Sequence, residues 1–127
     1  ILQHAIKIDP NNFLAKSHLA KYYFAVEKFD IAKQFLLDIT ATTKDDETLN
    51  MLAICYMKTN EYENAENLFK NLLDKYPQNH ILLTNLARCE FEQKDKTLAL
   101  EHVRRALLVF DEYEEAIKLL EEIKANG

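Results

Sequence analysis

Apolar residues fall at helical spacing in paired runs along this chain. In the clearest pair, residues 46–79, Leu49, Leu52, Ala53 and Tyr56 mark one face of a first helix, and Tyr62, Ala65, Phe69 and Leu72 mark one face of a second. Steps of three and four residues return a side chain to the same helical face. The intervening run Lys58-Thr59-Asn60-Glu61 has no apolar residue in phase and predicts a tight turn. Residues 13–45 repeat the arrangement with Leu19, Ala20 and Tyr23, then Phe29, Ala32, Leu36 and Ile39, around a turn at Glu27-Lys28. Residues 80–111 repeat it again with Leu83, Leu86 and Ala87, then Ala99, Val103 and Ala106. Residues 112–127 predict one more helix, in which Ile117 and Leu120 continue the core stripe.

The period is about 34 residues, as in Leu52 to Leu86 and Ala65 to Ala99. Leu2, Ala5 and Pro10 precede Phe69, Leu72 and Pro77 by a constant 67. Residues 1–12 therefore read as the end of a preceding unit, stopped at Pro10, whose ring cannot continue a helix. Asp45 or Asp46 is placed to cap the helix that follows. The whole chain, 1–127, thus reads as a single array. The third unit departs from the pattern: Glu90 stands where Tyr56 was, Lys96 where Tyr62 was and Asp111 where Pro77 was. That unit is expected to pack wetter and to be less stable. Glu121 falls in phase with Ala20, Ala53 and Ala87, where burial would cost several kcal/mol. The last helix is therefore expected to be a cap with a polar outer face.

A helix–turn–helix period of this length, with Leu-Ala and Tyr in the first helix, an aromatic residue and Ala in the second, and then Pro, resembles the tetratricopeptide repeat. The residues that carry the resemblance are Leu19, Ala20, Tyr23, Phe29 and Ala32; Leu52, Ala53, Tyr56, Tyr62, Ala65 and Pro77; and Leu86, Ala87 and Ala99. Lys16 departs from it, standing where the family favours an aromatic residue, and Ala follows each landmark Leu where the family prefers Gly. The resemblance implies an all-α solenoid of stacked helix pairs, a right-handed superhelix whose first helices line a concave face. It also implies a protein-interaction module. Pentatricopeptide repeats, the nearest confusable class, bind RNA; an acidic array with no recurring polar code argues against them. Chaperone-tail-binding members of the family clamp a terminal carboxylate with Lys, Asn and Arg. Here the corresponding positions include Ser17, Lys21, Met51, Ile81 and Asn85, so the clamp is not reproduced.

Composition narrows the remaining chemistry. One Gly and two Pro leave no turn chemistry for a β-rich fold and no glycine-rich phosphate loop. A net charge of −5 argues against nucleic acid as a partner. No apolar run is long enough to insert in a membrane, and the N-terminal ILQHAIKIDP has no signal-peptide pattern. That stretch starts in mid-helix without Met, so the chain is expected to be a piece of a longer protein. Cys55 and Cys89 fall at the same place in successive units and read as buried thiols, compatible with a reducing, cytoplasmic compartment. The four histidines lack ligand spacing, so no metal site, cofactor or catalytic centre is expected.

The functional expectation rests on the first-helix stripe beside the packing stripe. It comprises Leu14, Ser17, Lys21 and Phe24; Glu47, Asn50, Ile54 and Met57; and Ile81, Thr84, Arg88 and Phe91, each set at i, i+3, i+7, i+10. The residues expected to hold a partner are Leu14, Lys21, Phe24, Asn50, Ile54, Met57, Ile81, Arg88 and Phe91. Apolar positions flanked by cations suit a peptide or amphipathic helix of another protein. The alternatives are self-association through helix ends at residues 1–10, and a substrate-recognition arm of a larger enzyme. The acidic cluster from Asp111 to Glu115 reads as a helix N-terminus favoured by the macrodipole.

Overall fold

The computed structural model describes residues 13–126. The segment 1–12, expected to end a preceding repeat and to offer the self-associating helix ends, lies outside the described residues. Among the described residues the chain is all helical: α1 Phe13–Ala25, α2 Phe29–Thr40, α3 Asp46–Lys58, α4 Tyr62–Lys75, α5 His80–Glu92, α6 Lys96–Val109 and α7 Glu114–Ala125. They fall into two compact units, Ile1–Asn60 and Glu61–Gly127, with the boundary between α3 and α4.

In the first unit α1 packs on α2 and α2 on α3. Leu19, Ala20, Ala32, Leu36, Ile39, Leu52 and Ala53 are buried, as the stripe predicts, and Cys55 is a buried thiol beside them. Tyr23 stacks on Phe35, with ring centroids 6.1 Å apart. Asp45 caps α3, its carboxylate accepting from the Thr48 N–H at 2.8 Å. That bond holds the Asp45 carboxyl below the usual carboxylate range.

The chain manages its helix-ending turns almost without glycine. Glu27, Asn60 and Lys94 take left-handed backbone at φ 62°, 67° and 73°, one residue past the cap of α1, α3 and α5. After α1 the Glu27 N–H donates to the Phe24 carbonyl and the Lys28 N–H to that of Tyr23. After α5 the Lys94 N–H donates to Phe91 and the Asp95 N–H to Glu90. This is the paired bond pattern that satisfies orphan carbonyls at a helix end. A side chain at left-handed φ costs about 1–2 kcal/mol relative to Gly, least for Asn.

The second unit pairs α4 with α5, α5 with α6 and α6 with α7, and α7 also reaches α5. Its central cluster is Leu83, Ala87, Ala99, Val103, Ala106, Ala116, Leu119 and Ile123. Asn79 caps α5 through the Ile81 and Leu82 N–H groups, both at 3.0 Å. Asp95 caps α6 through the Leu98 N–H at 3.2 Å. His80 sits edge-on to Phe110 and Tyr113, with ring centroids 5.2 and 4.8 Å away.

Two expectations need correction. Ile117 does not continue the core stripe. It is 37% exposed, and α7 instead buries Ala116, Leu119 and Ile123, with Leu120 packed at the margin. The helix keeps its register, since α5 and α7 begin 34 residues apart. At the Ile117 position α5 carries Leu83, which shares its cluster with the α6 residues Ala99, Val103 and Ala106. The buried face of α7 is the one turned to α6 and α5. Glu121 lies off that face and is exposed. Thr84, placed by spacing on the outward stripe, is 4% exposed and bonds its hydroxyl to the His80 carbonyl at 2.8 Å.

Of the third repeat's polar departures, Glu90 enters the core, whereas Lys96 is half-buried and Asp111 exposed. Glu90 is 1% exposed, and its Oε1 lies 2.7 Å from Nδ1 of His102 on α6. Its Oε2 is buried without a protein partner.

Candidate functional site

In the first unit α1 presents Leu14, Lys21 and Phe24, at steps of seven and three residues that keep them on one face. Leu14 is 65% exposed. Lys21 is already engaged: its ammonium lies 3.5 Å from the Glu47 carboxylate at the start of α3. Phe24 is half-buried, its ring edge-on to Phe29 at 5.6 Å. On α3, Asn50, Ile54 and Met57 are half-buried. The Asn50 carbonyl oxygen is enclosed with no hydrogen-bond partner.

In the second unit α5 presents Ile81, Arg88 and Phe91 on one face. Ile81 is exposed, whereas Phe91 lies half-buried against the central cluster and so also serves the scaffold. Arg88 is not a free cation. Its guanidinium holds both carboxylate oxygens of Glu122 on α7, at 2.8 and 3.1 Å, and reaches Glu92 at 3.4 Å. The hydrogen bond to Glu122 raises the Arg88 pKa, and the same bond lowers that of Glu122.

Beside this pair opens a cleft of about 420 Å³ lined by Phe91, Glu92, Lys94, Lys96, Glu122 and Asn126. Of these, only Phe91 is visible as a site residue from spacing. A signal for Glu122 exists in the chain, because it stands one 34-residue period after Arg88. Lys94 belongs to a turn, outside the periodic stripes, and Lys96 takes the place of the aromatic landmarks Phe29 and Tyr62, which marks it as a departure without saying what it faces.

The remaining chemistry is sparse. Both cysteines are free and buried. Burial pushes the Cys55 thiol up to about 11. Burial, reinforced by Glu66, Glu90 and Glu92, pushes Cys89 up to about 12. Neither is a ready nucleophile. Among the described residues no group of three or more His, Cys, Asp or Glu is able to hold a metal ion, and no helix is long and apolar enough to cross a membrane.

Helix pairs closed by recurring left-handed turns, with part-exposed apolar faces on their first helices, define an all-α repeat protein. The family model for the tetratricopeptide repeat matches residues 50–116, and the chain belongs to the tetratricopeptide repeat family. Among curated proteins it is similar to lipopolysaccharide assembly protein B of Haemophilus influenzae, with 26% identity over 96% of this chain and 38% of that protein. Among solved structures it is similar to MamA, at TM-score 0.78 and 21% identity over 87% of this chain and 64% of that one. It is also similar to the first TPR of Spaghetti (RPAP3) bound to the HSP90 peptide SRMEEVD, at TM-score 0.77 and 17% identity over 93% and 94% of the two chains. These likenesses show the shared fold. The chain spans well under half the length of the curated relative it matches.

Proposed function

We propose that this chain is a non-catalytic interaction module that holds a peptide or helix of a partner protein against its first helices. The contributing residues are Leu14, Lys21, Phe24, Asn50, Ile54 and Met57 in the first unit, and Ile81, Arg88 and Phe91 in the second. The observation that carries this reading is the part-exposed apolar character of these faces beside fully buried packing stripes. Proteins of this family are generally non-catalytic scaffolds, and one structural neighbour holds a peptide. That neighbour's peptide class is not transferred, because the terminal-carboxylate clamp positions are not reproduced here.

The test is affinity capture with the wild type beside Phe24→Ala/Phe91→Ala, and with Ile81→Asp, whose exposed position leaves the core intact. Partner retention should fall by about tenfold or more in both, with helicity unchanged. Equal capture by all three proteins removes these faces from the site. Self-association is the second reading, supported by Tyr22, Val26 and Ile31 of the first unit, each more than 40% exposed. A concentration-dependent mass in light scattering, without added partner, would favour it.

A further inference from the structure

The cleft of the second unit carries an inference that rests on the interaction-module reading and names the chemistry of the ligand. Its walls come from the end of α5 (Phe91, Glu92), the turn (Lys94), the start of α6 (Lys96) and the end of α7 (Glu122, Asn126). Its volume of about 420 Å³ lies within the range that encloses a small group or a few side-chain atoms. The two carboxylates in the wall are committed, since Glu122 and Glu92 both converge on Arg88. Lys94 and Lys96 have no ion-pair partner among the described residues. Arg88, Lys94 and Lys96 balance Glu92, Asp95 and Glu122 in number; with both wall carboxylates held by Arg88 and Asp95 capping α6, the two lysines are the charges that no ion pair takes up.

The lysines are also placed by rigid backbone. Lys94 occupies the left-handed turn position, bonded back to Phe91, and Asp95 between the two lysines caps α6. The equivalent turns carry Glu27 and Asn60, so the cation is particular to this cleft. Phe91 gives one wall an apolar surface. Asn126 spends its amide N–H on the Glu122 carbonyl at 2.8 Å, which leaves its side-chain oxygen to accept from a ligand N–H.

We infer that this cleft binds an acidic side chain of a partner peptide, its carboxylate between Lys94 and Lys96 and a neighbouring apolar side chain on Phe91. Charge complementarity selects the carboxylate, and the aromatic wall selects an acidic-hydrophobic segment over a merely acidic one. Arg88 acts as a positioning residue, keeping Glu122 and Glu92 away from the lysines.

The experiment is an amide-resolved NMR titration of the whole chain with three probes: acetyl-Glu-Phe-Glu-Leu-amide, the same peptide with Gln for Glu, and acetyl-Gln-Phe-Gln-Leu with a free C-terminal carboxylate. The first should shift amides at 91–96 and 122–126, and the second should not. Lys94→Gln/Lys96→Gln should weaken the first probe by about tenfold or more, and Lys94→Arg/Lys96→Arg should restore it. Unchanged binding in the Gln variant, shifts elsewhere, or no shift at millimolar peptide overturns the inference. Binding of the third probe alone overturns it in favour of a chain-terminal carboxylate. Partner capture that depends on Ile81 but ignores Lys94→Gln/Lys96→Gln refutes the cleft and leaves the module reading standing.

Discussion

Arg88 and Glu122 stand one repeat period apart in sequence and meet through two parallel hydrogen bonds of 2.8 and 3.1 Å, tying the first helix of one repeat to the next. The pair is partly exposed, so its worth is modest, about 0–1 kcal/mol. Its pH dependence has a definite sign. Arg88 holds the Glu122 carboxyl below its ordinary value. The contribution is therefore full above the unfolded carboxyl pKa and is lost as pH falls through the lower folded value. Between pH 5 and pH 3 the wild type should lose slightly more thermal stability than Glu122→Gln, and added salt should shrink the difference. Parallel melting curves for the two proteins across that interval would remove the pair from the stability of the unit.

Glu90 and His102 form a different kind of pair. Glu90 is almost fully enclosed and one of its oxygens has no protein partner. Removing the imidazole strands the carboxyl entirely, so His102→Ala should cost about 3 kcal/mol in urea denaturation. Replacing both groups by apolar ones, Glu90→Leu/His102→Leu, should leave stability close to wild type or above it, because a well-packed apolar pair avoids desolvation. If His102→Ala were silent, Glu90 would have to find another partner when its imidazole is gone.

What the chain reveals in advance follows from what periodicity encodes. Leu52, Ala53, Phe69, Ala87 and Val103 are legible as core because each faces a helix that the repeat itself supplies. Ile117 has the register of Leu83 and is not buried, since spacing marks a face of the helix without naming what packs on it. Lys21 and Arg88 are legible as cations on the stripe beside the packing stripe, yet their ion pairs with Glu47 and Glu122 are not, because those depend on how long side chains lean between adjacent first helices. The cleft beside Phe91 is the least legible. It is made by a turn, a helix start where Lys96 interrupts the aromatic landmark of Phe29 and Tyr62, and a helix end.

The left-handed turns offer a test of local backbone cost. Glu27 sits at φ 62° in an exposed turn with no ion-pair partner among the described residues. Glu27→Gly removes the steric penalty and retains the hydrogen bonds of the turn, against some loss of unfolded-chain restriction. A net gain of about 0.5–1 kcal/mol is expected by chemical denaturation. Asn60→Gly should gain less, because Asn tolerates this region better. A loss of stability on Glu27→Gly would mean that the Glu27 side chain contributes contacts beyond the turn.

Cys55 and Cys89 place one buried thiol in each unit, and together they report on each unit separately. With pKa values pushed to about 11 and about 12 by burial, neither thiol should react with a disulfide reagent near pH 8 while its unit is closed. Labelling then follows the fraction of time each unit opens, provided opening and closing are fast relative to the chemistry. Cys89 directly precedes Glu90 on α5 and shares its enclosed surroundings. His102→Ala should therefore speed Cys89 labelling by roughly a hundredfold, the kinetic equivalent of about 3 kcal/mol. Site-resolved mass spectrometry of a labelling time course reads both cysteines in one experiment. Acceleration confined to Cys89 would make the second unit an independent opening unit, whereas equal acceleration at Cys55 would show that the chain opens as one.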